Sequence, residues 1–431
     1  MQRRSRGMLT GILAGALAIG SIGATSAQEP GSVELDFLVF ETPNLPSEFW
    51  DDAIARTVDE FPQFSINKIT APEVGAIGDF LKQLLATGQF PDVAMSNFAV
   101  AEFIAEGALL PFEDSDLERF IDPVGLGLTD GRQYALPQLT VLESGVFYNQ
   151  DMFDQAGITE EPATYEEFLA AGQALADAGL TPIVAGGGGG DAWAAAWPTM
   201  NLVALNVSGV DGDWLSNLHT GDASFNDQAF VDAVGTYADW VDRGWVTSDA
   251  LSLGYAELQE SFLAGAGAMY PMGSFAAGAI PLDHDFEVGF FPMPTLDGAN
   301  RLVTFTSGGP TVSATTEDPE AARLFAVEFA TNVATNADDL RRDAHIPNNK
   351  FFDLERDTAG MDLHPLINEV IATLADPEAQ AVPFFTFEVG DDALVAGFQN
   401  EVFVASQDLL GGAAPADIGS NLQSKWDELG S

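Results

Sequence analysis

VELDFLVF (residues 33–40), SEFWDDAIARTVDEF (47–61) and FSINKI (64–69) follow one another with only short turns between them. The first is an apolar run of the kind that forms a buried strand. Glu41-Thr-Pro-Asn then breaks it. The second stretch has helical spacing and the third is again extended. The pattern repeats downstream. Residues 76–86 form an amphipathic helix ended by Gly88, residues 91–95 a short strand, and residues 100–106 a helix stopped by Gly107. Strands that alternate with helices predict parallel βαβ units and an α/β fold. Ligands of open α/β sheets bind beyond the carboxyl ends of the strands. Glu41 and the pair Ser96-Asn97 stand at two such ends.

The same reading extends to the C-terminus. Thr164-x-x-Glu167 is a capping box that opens a helix over 165–178. Helices are expected at 229–243, 258–263, 320–332, 392–410 and 416–429, and a strand at 286–291. The most unusual stretch is GGGGGDAWAAAW (186–197). Glycine lets a ligand approach the backbone, Asp191 offers an acceptor, and the indoles of Trp193 and Trp197 offer flat apolar faces. Together these suit a pyranose ring, which has polar edges and an apolar C–H face. Trp193 and Trp197 are also one helical turn apart, a spacing that packs cores, and the glycines alone would also serve as a flexible loop.

The chain has 431 residues, 46% of them hydrophobic, enough for two or three domains. Arg3, Arg4 and Arg6, an apolar segment over 8–23 and Thr25-Ser26-Ala27 read as a secretory signal peptide over residues 1–27. There is no cysteine, so disulfides are excluded and no lipid-anchor cysteine stands at the cleavage site. A freely diffusing, periplasmic protein is the expectation. The formal net charge is −49, with 65 acidic residues and only four lysines. Such a surface repels nucleic acid and anionic lipid. Its self-repulsion would be screened in brine, which points to a saline habitat.

Enzyme signals are weak. His219, His284, His345 and His364 are isolated, with no metal-ligand spacing, no G-x-S-x-G elbow and no P-loop. A carboxylate pair of the glycosidase type is compatible with so acidic a chain, but abundance makes any pair uninformative. No cofactor or metal is called for.

ATGQFPDVAMSN (86–97) and AEGALLPF (105–112) resemble paired segments of the extracellular solute-binding proteins of ABC importers, family 1, the sugar-binding class to which maltose-binding protein belongs. GRQYALP (131–137), GVFYNQDMF (145–153), FLAGAGAMYPMGSF (262–275), SGGPTVSATTEDPEAARLFAVEF (307–329) and HIPNNK (345–350) continue the likeness in the same order. The resemblance implies a two-lobed type II periplasmic-binding-protein fold, with a mixed, mostly parallel sheet in each lobe and a cleft between them. Residues 28–139 and 303–350 would form one lobe, and 140–302 and 351–431 the other. The strands near 137–143 and 300–306 would be the hinge.

By the same likeness Trp193 falls where sugar-binding relatives place a stacking platform, Asp191 where they place an acid, and Phe275 where they often have tryptophan. Phe385 lies near another cleft aromatic, with Phe384 and Phe387 competing for the role. Ser96 and Asn97 fall in the polar lining of the first lobe, and Glu143 near an acidic cleft residue. Glu41 is a candidate from its strand end. Gly309, in Gly308-Gly309, would allow backbone approach at the hinge or simply make a turn. Glu143 and Glu41 could equally be solvated surface acids. Ala99 and Val100 stand where the maltose binder has an acid and a base, so maltose specificity does not carry over. The implied function is a monomeric, non-enzymatic binding component that hands a sugar or small oligosaccharide to a membrane permease. A different solute, such as a polyamine, betaine or amino acid, stays open.

Overall fold

The computed structural model describes residues 32–72, 77–95, 100–387 and 390–430. The signal segment 1–27 and the pair Ser96-Asn97 lie outside the described residues.

The first core is built on the strand Val33–Val39. It pairs in parallel with Phe64–Thr70 (Val33 opposite Phe64) and with Val93–Met95 (Phe37 opposite Val93). The sheet continues through Pro310–Ser313 and Leu109–Leu110, both added antiparallel. The helix Ser47–Glu60 turns Phe49, Trp50 and Ala53 inward, as its spacing requires. The helix Pro319–Ala330 closes the other side, with Phe325 and Phe329 at 5.3 and 5.0 Å from Phe37. Asp318 caps that helix by accepting from Ala321 N at 3.1 Å, with Pro319 in the first turn. Residues near 310–330 therefore complete a core begun near residue 33.

The second core is larger and centres on Gly145–Asn149, flanked by Met269–Met272 and Val288–Pro292. Both pairings are antiparallel, so the expected mostly parallel pairing describes only the Val33–Val39 side of the molecule. Among the described residues, parallel pairing here comes from bridges from Ile183 to Val246 and Met269 and from Arg301–Ser307 alongside Gln380–Pro383. The flanking strands return from long helical excursions, and a connection of that length imposes no strand direction. The helices Tyr165–Asp177, Ala192–Val203, Gln228–Asp242, Phe398–Leu410 and Pro415–Leu429 cover this sheet. Thr164 and Glu167 form the capping box expected of them. The last helices differ from expectation in one start point. Gly397 at φ 84° breaks the chain direction, so the helix opens at Phe398 and only a short 3-10 turn occupies 390–392.

Two strands run between the cores. Leu139–Leu142 lies antiparallel to Arg301–Ser307, with Leu142 opposite Thr304. Ile346–Pro347 and Gln380–Pro383 flank them. The helix Val333–Asp343 packs against the short helix Ser274–Ala279, and Leu340 joins the second core. It also touches Ser47–Glu60 of the first core, so it spans the junction. Among the described residues no helix is long and apolar enough to cross a membrane.

Candidate functional site

A cavity of about 280 Å³ opens between the two cores. One wall begins at the helix Ala192–Val203. Trp193 and Trp197, one turn apart, lie 5.4 Å from each other in an edge-on pair. Both are 5–6% exposed and both line the cavity, so the core-packing and ligand-facing readings of this pair hold together. Tyr255 stands 4.9 Å from Trp193, and Phe275 5.3 Å from Trp197. Asp191 holds this wall in register. Trp193 Nε1 donates to Asp191 Oδ1 at 3.1 Å, and the Tyr255 backbone N–H donates to Asp191 Oδ2 at 2.8 Å. Its carboxylate lines the cavity, but both oxygens already serve to position two aromatic rings.

The glycines before Asp191 do a different job from the one their flexibility suggested. Gly186, Gly187, Gly188 and Gly190 do not line the cavity. Gly186 has φ 156°, and a Cβ there would lie 2.2 Å from the Ala250 carbonyl oxygen. A Cβ on Gly187 or Gly188 would meet the Asp191 or Leu251 carbonyl oxygen at 2.4 and 2.6 Å. The closely approaching backbone is the protein's own.

The opposite wall comes from Phe40 to Pro43, just past the carboxyl end of the central strand, so Glu41 sits where strand-end logic placed it. The crossing strands contribute Val141 and Phe305, and Gly308 follows them. Gly309 does not line the cavity. A Cβ there would stand 2.1 Å from the Leu136 carbonyl oxygen, so this glycine accommodates chain packing. Phe385 is likewise not at the site. It is fully buried, with its ring 6.3 Å from Trp214. Thr386 has φ 80°, and this reversal presents Phe387 to the cavity instead, while Phe384 packs behind Trp197 at 4.8 Å.

The floor carries charge. Glu143 is 2% exposed, and burial pushes its carboxyl up to about 8, an effect that nearby His345 partly offsets. His345 Nδ1 meets Asp339 Oδ1 at 2.9 Å, and its Nε2 lies 3.7 Å from Asp343 Oδ2. Burial opposes the imidazolium, but Asp343 and Asp339 outweigh it and raise His345 to about 9. Burial also lifts Asp343 to about 6. Ala344, at φ 47°, turns the chain between Asp343 and His345 so that both line the cavity. A non-glycine residue in this region costs about 1–2 kcal/mol, which surrounding packing must hold. Asp339, Asp343 and His345 bring ligand atoms within 4.8 Å of one another. Each imidazole nitrogen faces a carboxylate, the geometry of a charge clamp around a protonated ring.

Sequence reasoning had set His345 aside as isolated. Its partners Asp343 and Asp339 precede it by two and six positions along the chain, and the D-x-x-x-D-x-H spacing at a helix end is the available signal. Tyr255, Phe305 and Phe40 had no local signal. A second hollow of about 130 Å³ shares Trp193 and Phe387 with the first and reaches Lys82, Gln399 and Asn400. The cleft thus continues past the aromatic wall.

A family model described as "Bacterial extracellular solute-binding protein" matches residues 55–338, well over half of the chain. The chain belongs to that family. This solute-binding protein is 23% identical over 377 residues to the alpha-glucosides-binding periplasmic protein AglE of Rhizobium meliloti (strain 1021), covering 79% of this chain and 77% of the relative. It is 26% identical over 258 residues to the osmoprotective compounds-binding protein GgtB of Synechocystis sp. (strain ATCC 27184 / PCC 6803 / Kazusa), covering 56% and 60%. The solved structure of a chitin oligosaccharide binding protein matches it with a TM-score of 0.78 at 26% identity, over 93% of this chain and 99% of that one. RafE in complex with raffinose shares the fold, with a TM-score of 0.70 at 18% identity over 93% and 100%. The solute-binding protein therefore has the two-lobed type II periplasmic-binding-protein fold, with the aromatic cavity between its lobes.

Proposed function

We propose that this solute-binding protein captures a sugar or small oligosaccharide in the interlobe cavity and delivers it to an ABC permease. The observation that carries the reading is the aromatic wall. Trp193, Trp197, Tyr255, Phe275 and Phe387 offer flat faces to a pyranose C–H face, in a space whose floor supplies Glu143, Asp343 and His345 for its polar edges. The names of two relatives, an alpha-glucoside binder and a chitin oligosaccharide binder, support it. A second reading, capture of an osmoprotective compound, is favoured by the relative named for that ligand class.

Residues 28–139 and 303–350 form one lobe in this proposal, and 140–302 and 351–431 the other. Asn44 Nδ2 donates to the Phe275 carbonyl oxygen at 2.8 Å and to Asp343 Oδ1 at 2.5 Å. The first bond ties the loop after the first strand to the second lobe beside the cavity, and the second ties it to the end of the junction helix. Ligand contacts on both lobes would add to them and shift the hinge equilibrium toward closure. The permease would read that closed state. The protein acts in the periplasm as a monomer, without turning the ligand over.

The test is a thermal-shift screen at high salt with mono-, di- and trisaccharides, polyols, betaines and polyamines, followed by recovery of the bound compound. A saccharide that raises the melting temperature by mass action and is recovered intact supports the proposal. A hit confined to betaines or polyamines removes the sugar assignment, and hydrolysis of the hit removes the non-enzymatic one.

The charge makes a separate prediction. With 65 acidic against 16 basic residues, self-repulsion is relieved as the Debye length falls from about 10 Å at 0.1 M salt to about 3 Å at 1 M. The melting temperature is expected to climb by several degrees from low to molar NaCl. A flat profile would show that the acidic surface is not a salt adaptation.

A further inference from the structure

We propose that Glu143 meets the ligand as an uncharged carboxylic acid and donates a hydrogen bond to a ligand oxygen, so that it selects a neutral hydroxylated solute over a protonated amine. This rests on the reading of the cavity as a sugar site and specifies the chemistry at its floor.

Glu143 follows the crossing strand Leu139–Leu142, and its backbone is held on both sides. Its N–H donates to the Val303 carbonyl oxygen at 2.9 Å, and its own carbonyl accepts from Asn201 Nδ2 at 3.0 Å. The side chain therefore has a set position. Oε2 rests against Gly273, where a Cβ would stand 2.5 Å away. Among the described residues no donor reaches this buried oxygen.

Among the described residues no lysine or arginine lines the cavity. The charged groups that line the cavity with Glu143 are Asp343 at the end of the junction helix, His345 just after it, Asp191 from the glycine-rich turn, and Glu41 from the loop after the first strand, and among them His345 acts on Glu143 directly. The phenol of Tyr255 also lines the cavity, and burial holds it neutral. His345 is the one cation, and Asp339 and Asp343 grip it from either side. Two negative charges against one positive leave the floor net negative. A buried carboxylate with no donor and no free cation is costly, and binding a proton removes that cost. The upward pKa shift agrees.

A neutral carboxyl presents an O–H that needs an acceptor. Trp197 also lines the cavity, and its buried Nε1 has no acceptor among the described residues. Two residues with unsatisfied donors thus border one space. Hydroxyl or ring oxygens satisfy both, whereas an ammonium group would bring more donors to donors.

The experiment is calorimetric titration with the saccharide found in the screen, from pH 6 to 9.5, on the natural protein and on Glu143→Gln. The amide keeps a donor but cannot ionise. The natural protein is expected to lose affinity by approaching tenfold per pH unit above about pH 8, and to take up close to one proton on binding near pH 9. Glu143→Gln should lose the steep fall above about pH 8. His345 is raised to about 9 chiefly by Asp343 and Asp339, with Glu143 the smallest contributor, so any slope that remains in the variant belongs to His345 and the additional slope of the natural protein to Glu143. The proton count on the natural protein stands even if the variant fails to fold. Saccharide binding that is flat or rises with pH overturns the proposal while leaving the sugar reading intact. Absence of saccharide binding at pH 6 overturns that reading, and amine binding that strengthens with pH overturns both.

Discussion

Replacing Trp193 with alanine weakens saccharide binding by roughly five- to 150-fold, the equivalent of about 1–3 kcal/mol. The ring is common to both hollows of the cleft, so its loss removes a stacking face and opens one compartment to the other. It also anchors the rest of the wall, with Tyr255 at 4.9 Å and Trp197 at 5.4 Å. The same substitution should cost about 3–5 kcal/mol of stability, as truncation of a buried tryptophan does. Affinity must therefore be measured well below the lowered melting temperature. Trp193→Phe separates the two roles of the side chain. It keeps a flat face but loses the Nε1–H bond to Asp191, so its affinity should fall between those of the natural protein and the alanine variant. If Trp193→Ala stays folded and binds the saccharide unchanged, the stacking role is wrong.

A second large stability effect is expected at a residue outside the cavity. Gly278→Ala should destabilise the protein by about 3 kcal/mol or more, at the upper end of overpacking substitutions. A Cβ at this position would lie 1.5 Å from the Arg342 carbonyl oxygen and 2.1 Å from its carbonyl carbon. Both neighbours are backbone, so no rotamer change relieves the clash. The short helix Ser274–Ala279 would have to part from the last turn of Val333–Asp343. That movement reaches the site, because Phe275 belongs to the first element and Asp343 to the second, and Asn44 bonds to both. Affinity should fall along with stability. Gly212→Ala is the control, since nothing lies within 4 Å of a Cβ there, and it should change stability by less than about 0.5 kcal/mol. Equal denaturation midpoints for the two variants would remove the packing argument.

The amino-acid sequence by itself determined the local elements. The strand Val33–Val39, the helices on either side of Phe64–Thr70 and the Thr164–Glu167 capping box follow from hydrophobic period and terminal chemistry, which act over a few residues. For the same reason the four-residue spacing of Trp193 and Trp197 placed both on one helical face, and Glu41 could be set at a strand end. Family likeness added the order of the two-lobed fold. Only the tertiary structure decided what depends on distant backbone. Whether Phe385 or Phe387 faces the ligand turned on one left-handed residue, Thr386. Whether the glycines of 186–188 met a ligand or the chain turned on the approach of residues 250 and 251. Asp191 became a clamp because the Tyr255 N–H reaches it from 64 positions away. His345 joined the site because its helix ends at the junction of both cores, facing Glu143 from a separate strand. Such pairings have no local period, and the folding of the chain into two cores with a shared seam is what creates them.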